Sequence, residues 1–326
     1  MQPSDKILVT GAAGFIGSAL VWALNQQGFE NLVLTDVLGT DEKWKNLVPL
    51  RYDDFLDASQ LLDQLPTLED VRYIFHLGAC SATTEKDAGY LMENNYRYTK
   101  RLAEWAIAGK RRFVYASSAA TYGDGSQGMD DSHANLSALR PLNMYGYSKH
   151  LFDLHAARHG WLDQIVGLKY FNIFGPNEDH KGDMRSVVHK AHHQISETGS
   201  VSLFRSHHPD YRDGEQERDF LYVKDAVAAT IHLARTPGAA GLFNVGSGKA
   251  STWIDLITPI FEALEIPQNI EFIDMPEALR GKYQYHTRAD ITRLLATGWP
   301  GAGHTLHDAV TDYVTRHLNT GLTLGQ

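Results

Sequence analysis

Tyr145 and Lys149 stand four residues apart in the run Tyr145-Gly-Tyr-Ser-Lys149, and residues i and i+4 of a helix share one face. A phenol and an ammonium on one face can act on one bound ligand. Tyrosine has an ordinary pKa of about 10, too high for a base at neutral pH. A neighbouring cation and the positive end of a helix both lower it by stabilising the phenolate. Upstream, Tyr115-Ala-Ser-Ser118 closes an apolar run, and the Ser118 hydroxyl there can donate to a substrate oxygen. A surface tyrosine and lysine reach this spacing often by chance. A serine at a strand end followed by such a pair, all behind a glycine-rich loop, is not common.

The glycine loop is Gly11-Ala-Ala-Gly14-Phe-Ile-Gly17, between the apolar run 7–10 and a helically spaced stretch that begins at Phe15. Glycines at such a junction permit a tight turn, let backbone N–H groups approach a pyrophosphate and let the helix pack close on the strand. The helix start adds unpaired donors and positive dipole charge. The spacing is GxxGxxG rather than GxGxxG. Asp36, nineteen residues after Gly17 at the end of the next apolar run, is placed to hydrogen-bond an adenosine ribose, which favours NAD. Lys43 and Lys45 follow just downstream and could meet a 2′-phosphate instead, so NAD and NADP both stand at this point.

Groups from such distant parts of the chain need a scaffold that gathers loop ends. Apolar runs at 7–10, 31–36, 71–76, 112–116 and 164–170 alternate with helical spacing at 15–27, 90–108 and 147–159. This alternation predicts an α/β protein with a doubly wound, Rossmann-type parallel sheet. After Asn172 the alternation fails, and residues 175–216 carry glycine, proline, histidine and charged clusters around one helix expected near 185–197. Strands are expected at 220–223, 241–245 and 270–273, and helices near 252–264 and 305–318. The expected division is a dinucleotide-binding domain over 1–172 plus about 218–248, and a smaller mixed α/β substrate domain over about 173–217 and 249–326.

Composition narrows the partners. Thirty basic against 39 acidic residues give a net charge of -9, which argues against a nucleic-acid partner, because a phosphate backbone calls for a basic surface. The 43% hydrophobic content is enough for a sizeable core. No apolar window approaches about 18 residues and the N-terminus has no signal-peptide pattern, so no membrane partner is expected. Cys80 is the single cysteine, so no intrachain disulfide can form, and a cytoplasmic protein is expected. His189, His192, His193 and His207, His208 lack a carboxylate or cysteine at matched spacing, so no metal site is expected.

With these pieces in order, the chain resembles the extended short-chain dehydrogenase/reductase family. The matching segments are Gly11 to Gly17, His76-Leu-Gly-Ala79, Asn94-Asn95, Ala116 to Gly123, Tyr145 to Lys149, Lys169-Tyr-Phe-Asn-Ile-Phe-Gly-Pro176, Arg218 to Asp225 and Phe243 to Gly248, nearly the whole chain. A narrower likeness is to the family's epimerases of ADP-activated heptose, which supply lipopolysaccharide core heptose. It rests on Gly78-Ala-Cys-Ser-Ala-Thr-Thr-Glu85, Glu178-Asp-His-Lys-Gly-Asp-Met184 and Leu279-Arg-Gly-Lys-Tyr-Gln284. Asp183 and Lys190 stand where the resemblance leads one to expect a serine and a histidine, and the segment Arg205 to Glu217 is longer than usual.

The resemblance implies an isomerase that uses NADP, with NAD as the alternative, and an ADP-heptose substrate. A hydride leaves C6″ and returns to the other face, so two acid–base groups are needed, and the likeness assigns them to Tyr145 and Lys181. Lys149 would hold the nicotinamide ribose and Ser118 would polarise the substrate oxygen. Phe15, Ile16, Asp36, Val37, Lys43, Leu77, Gly78, Ala79, Cys80, Ser81, Asn94 and Ile173 would touch the cofactor. Asn172, Asp183, Lys190, Phe204, Arg205, Ser206, His207, Arg218 and Tyr283 would touch the ADP-sugar. The likeness also implies a homo-oligomer, a pentamer among the candidates. Two rivals are weaker. A 4,6-dehydratase usually carries an Asp-Glu pair after the serine, where this chain has Ala119-Ala120, though a UDP-hexose 4-epimerase stays open. A non-catalytic dinucleotide sensor has no need to keep both Tyr145 and Lys149.

Overall fold

The computed structural model describes residues 1–280 and 283–326. Seven parallel strands form its centre: β1 (Lys6–Thr10), β2 (Leu32–Asp36), β3 (Asp54–Asp57), β4 (Val71–His76), β5 (Arg112–Ser118), β6 (Val166–Tyr170) and β7 (Gly241–Val245). Their order across the sheet is β7-β6-β5-β4-β1-β2-β3. Strands β2, β6 and β7 are buried along their whole length, as expected where helices cover both faces. β3 departs from this. Its sequence Asp-Phe-Leu-Asp has exposed ends and half-buried centres, the charged character of an edge strand, and no apolar run announces it.

Helices pack on both faces. Phe15–Asn25 and Val223–Arg235 share one apolar cluster, with Leu20, Leu24, Val227 and Ile231 inside it. Ala58–Gln64, Tyr98–Ala108 and Met144–Arg158 cover the other face through Leu61, Leu102, Ala106, Phe152 and Ala156. The helix over 223–235 begins where a strand was expected to end: Phe220–Tyr222 is a strand, and Val223 already belongs to the helix. All strands run the same way, but the order in which the chain adds them reverses between β1 and β4, whose ends pair Thr10 with His76. A crevice at that switch point, outside the carboxyl ends of the strands, is where open α/β sheets take ligands.

The irregular third assembles from short pairings. Val201–Phe204 runs parallel to Ile270–Ile273, Asn172–Phe174 parallel to Phe220–Tyr222, and Glu217–Arg218 antiparallel to Ser251–Thr252. Helices Val187–Thr198, Trp253–Ala263 and Leu306–Tyr313 pack with them. The second of these starts on a reciprocal cap between Thr252 and Asp255, which satisfies two otherwise orphaned N–H groups. Among the described residues, no helix is long and apolar enough to cross a membrane.

Candidate active site

The glycine loop turns the chain from β1 into the helix Phe15–Asn25. Gly17 must be glycine, because a Cβ there would lie 1.9 Å from the Gly11 carbonyl oxygen. No side chain caps this helix at Gly14, so its first N–H groups face outward with positive dipole charge, a cradle for phosphate. Gly11, Gly14, Phe15, Ile16, Gly17, Asp36, Lys43, Leu77, Gly78, Ala79, Cys80 and Ser81 line one groove of about 410 Å³, together with His180 and Lys181. Val37, Asn94 and Ile173 do not line it. The residues present therefore fit a dinucleotide: a bare helix start, a small-residue floor and a carboxylate at the end of β2.

That carboxylate is already engaged. Asp36 is buried and accepts the Ala13 N–H at 2.9 Å, the Val37 N–H at 2.7 Å and the Lys43 ammonium at 3.0 Å. Lys45 turns away and pairs with Glu42 in solvent at 2.7 Å. Cys80 is held by its backbone: the Asn95 amide accepts its N–H and donates to its carbonyl, both at 2.9 Å, and also donates to the Ser148 hydroxyl at 3.0 Å. Asn95 sits in a π-helical stretch, Met92–Arg97, inside the long helix, a distortion frequent at functional sites.

Tyr145, Lys149 and Ser118 converge beside this groove. The helix Met144–Arg158 is capped by Asn143, whose side chain accepts the Gly146 N–H at 2.8 Å. Gly146 permits a close approach, since a Cβ there would lie 2.7 Å from the Ala120 carbonyl oxygen. The start of this helix is thereby pressed against the turn that follows Ser118. The Ser118 oxygen accepts the Ala120 N–H at 3.1 Å, which leaves its proton free to donate. Contrary to the lowering expected from a neighbouring cation and helix end, burial holds the Tyr145 phenol above its ordinary value, with a hydrogen bond from Ser118 pulling the other way. Lys149 is buried and donates to the Ala116 carbonyl at 2.8 Å. Burial lowers its pKa to about 8, against an upward pull from Asp153 one turn along. His76, bridging Thr10 at 2.6 Å and Thr99 at 2.7 Å, is pushed down to about 3 by burial and by Lys149, so it stays neutral.

Lys181 reaches the groove from the far side. Its ammonium lies 5.0 Å from the centre of the Phe15 ring, and burial lowers its pKa while Glu178 opposes the shift. Glu178 fixes this loop: fully buried, it accepts the Ser186 N–H at 2.6 Å and the Tyr313 hydroxyl at 3.0 Å. No hydrogen bond or ring contact joins Lys181 to Tyr145 among the described residues. Asp183 and Lys190 are both exposed, the Lys190 ammonium donating to the Asp183 carbonyl.

The expected substrate residues divide into two groups. Arg218 is only 7% exposed, yet its guanidinium donates to the Glu217 carbonyl at 2.8 Å and otherwise faces the rings of Tyr283 at 5.0 Å and Trp253 at 5.8 Å. Among the described residues no carboxylate pairs with it, and burial lowers its pKa. Tyr283 in turn accepts the Trp253 indole N–H at 2.8 Å. Phe204, Arg205, Ser206 and His207 lead out of the strand Val201–Phe204, with Arg205 paired to Asp213 at 3.3 Å and His207 exposed. Asn172 is exposed and donates its N–H to the Asp219 carbonyl at 3.2 Å. Gly281 and Lys282 of the expected motif lie outside the described residues.

Residues 7–246 match the NAD dependent epimerase/dehydratase family. The ADP-L-glycero-D-manno-heptose-6-epimerase of Nitratidesulfovibrio vulgaris (strain DP4) is 55% identical over 316 residues, 95% of this chain and 97% of that protein. The chain belongs to this epimerase/dehydratase family. Among solved structures, the Helicobacter pylori ADP-L-glycero-D-manno-heptose-6-epimerase superposes with a TM-score of 0.80 at 28% identity, covering 97% of this chain and 99% of that one. A Bacillus cereus UDP-glucuronic acid 4-epimerase, solved with UDP-glucuronic acid and NAD, gives 0.75 at 26% identity, covering 95% and 99%.

Within this epimerase/dehydratase frame, several positioning residues escaped the sequence reading. Asp219, the fully buried residue that follows Arg218, accepts the N–H groups of Ser247 at 2.6 Å, Gly248 at 2.9 Å and Ala289 at 2.9 Å, and so ties the end of the Arg218 strand to two later loops. Asp153 and Lys169 form a buried pair behind Lys149 at 2.9 Å. A charged residue inside a helix or strand pattern was the only available signal for any of them.

Proposed function

We propose that the protein is an ADP-L-glycero-D-manno-heptose 6-epimerase that uses NADP. The observation that carries the reading is Lys181 on the wall of the same groove as the glycine loop. A phenol and an ammonium, arriving from different elements, then flank one dinucleotide, as inversion at a carbinol carbon requires. A bound nicotinamide supplies the hydride acceptor and, in return, the donor. The rest falls to the chain. One of Tyr145 and Lys181 takes the hydroxyl proton as the C6″–H bond breaks, leaving a ketone. The other protonates the oxygen when the opposite face is reduced, so no net oxidation occurs. Ser118 donates to the reacting oxygen, and Lys149 holds the ribose and stabilises the Tyr145 phenolate.

Arg218 supports an anionic substrate. Burying an unpaired cation is costly, and a diphosphate that a guanidinium can grip at two points removes that cost. Lys43 supports NADP: it places a cation at the groove's edge, beside an Asp36 carboxylate that already accepts three hydrogen bonds, one of them from Lys43. The substrate side is assigned to about 173–217 and 249–326, and the remainder to the dinucleotide. A cytoplasmic homo-oligomer completes the reading.

Incubation with ADP-D-glycero-D-manno-heptose, followed by NMR of the sugar, tests it. Conversion to the L-glycero epimer without solvent deuterium at C6″ is expected. No conversion with NADP or NAD added, alongside turnover of a UDP-hexose, would replace this reading with a 4-epimerase.

A further inference from the structure

The segment 205–216 leaves the strand Val201–Phe204 without regular structure, yet it is pinned. Asp213 accepts the Ser206 N–H at 2.7 Å, the Gln216 side chain donates to the Phe204 carbonyl at 3.3 Å, and the Gly214 carbonyl accepts the Ile254 N–H at 3.2 Å. What this pinned loop presents is aromatic. His208 lies 5.0 Å and Tyr211 5.6 Å from Tyr285, the two tyrosine planes 29° apart. Tyr285 meets Tyr283 edge-on at 5.1 Å, and Tyr283 is the ring beside Arg218. A run of rings therefore leads from solvent to a buried cation that has no counter-charge among the described residues. His208 is exposed, and Tyr211 and Tyr285 are half-buried, so these rings are not absorbed into either apolar core. A ring surface that ends on an unpaired guanidinium matches one ligand chemistry: a flat base joined to a diphosphate.

We propose that His208, Tyr211 and Tyr285 form the base-binding wall of the nucleotide-sugar site, with adenine stacked on the rings while its diphosphate reaches Arg218. The inference rests on the nucleotide-sugar reading above and adds the residues that read the base. Stacking on aromatic side chains uses the π-face of the base, and a two-ring purine covers more of such a surface than a one-ring pyrimidine.

The test is calorimetric titration of ADP, and separately of inorganic pyrophosphate, into the full-length protein saturated with NADP, so that ADP cannot enter the dinucleotide groove. Tyr211→Ala is expected to weaken ADP by about 5- to 100-fold. Tyr211→Phe keeps the ring and is expected to bind ADP as the wild type does. Pyrophosphate, which has no base, is expected to bind all three alike. His208→Ala, at an exposed position, gives a second reading should Tyr211→Ala fold poorly, and it too is expected to weaken ADP. ADP bound tightly by the wild type and equally tightly by Tyr211→Ala and His208→Ala overturns the aromatic wall and leaves the nucleotide-sugar site intact. A wild type that binds ADP no better than pyrophosphate overturns both.

Discussion

Two buried cations on this scaffold are treated in opposite ways. Lys169 has no exposed side-chain surface and is enclosed by Asp153 at 2.9 Å and Thr121 at 2.6 Å. Asp153 also accepts the hydroxyls of Tyr115 and Ser117, both at 2.8 Å. Arg218 is nearly as buried but has, among the described residues, a single backbone acceptor and two rings. Lys149 lies between these extremes, with one carbonyl and a pKa lowered by burial. A buried charge is costly unless paired and hydrogen-bonded. Where the fold supplies every partner, the charge serves the fold. Where the fold leaves a partner out, a ligand is left to bring it.

The largest effects should come from the incompletely partnered side. Tyr145→Phe and Lys181→Met are expected to cut turnover by about 10²- to 10⁴-fold, with the fold intact and dinucleotide still bound. Near-normal turnover in either variant would remove that residue from proton transfer. Asp153→Ala strikes the closed side and should do the reverse. It leaves Lys169 buried without its partner and is expected to cost about 3–5 kcal/mol in urea unfolding. An undiminished midpoint would show that the pair contributes nothing to the fold.

Lys149→Met should separate stability from function. Because burial holds the folded-state pKa near about 8, below the ordinary 10.5, the folded protein bears the cost of the charge in full below pH 8. That cost fades as pH rises from 8 to 10.5. Without cofactor, Lys149→Met is therefore expected to be more stable than the wild type at pH 7, by about 1–3 kcal/mol, and the gap should close by pH 10.5, while turnover is lost. A variant less stable than the wild type at pH 7 would count against the argument. The smallest contrast is between two lysines of one short 3-10 helix, Lys43–Leu47. Lys43→Ala should weaken NADP about tenfold more than NAD, the worth of one charge-assisted hydrogen bond. Lys45→Ala, whose partner Glu42 is in solvent, should change neither affinity, nor stability by more than about 0.5 kcal/mol. Equal responses from the two would place the 2′-phosphate elsewhere.

Much of this protein was legible before any coordinate. The glycine loop, the serine at a strand end and the Tyr145–Lys149 pair are local patterns, because a turn, a strand end and one helix face each involve residues close in sequence. Apolar alternation marked the strands of the sheet except β3, whose edge position frees it from needing an apolar run. Lys181 was named only by likeness, since nothing in its neighbours distinguishes it from a surface lysine.

Tertiary structure decided which charges are satisfied. Asp153 and Lys169 read as ordinary charged residues until the sheet and a helix enclosed them, and Asp219 became a hub only when loops 28 and 70 residues away in sequence closed on it. It also decided that Arg218 is buried with no carboxylate partner among the described residues, and that Tyr211 meets Tyr285 across 74 residues. Sequence spacing reports what a short stretch of chain can reach. The cost or benefit of a charge depends on what surrounds it in three dimensions, and those neighbours are chosen by the packing of the whole chain.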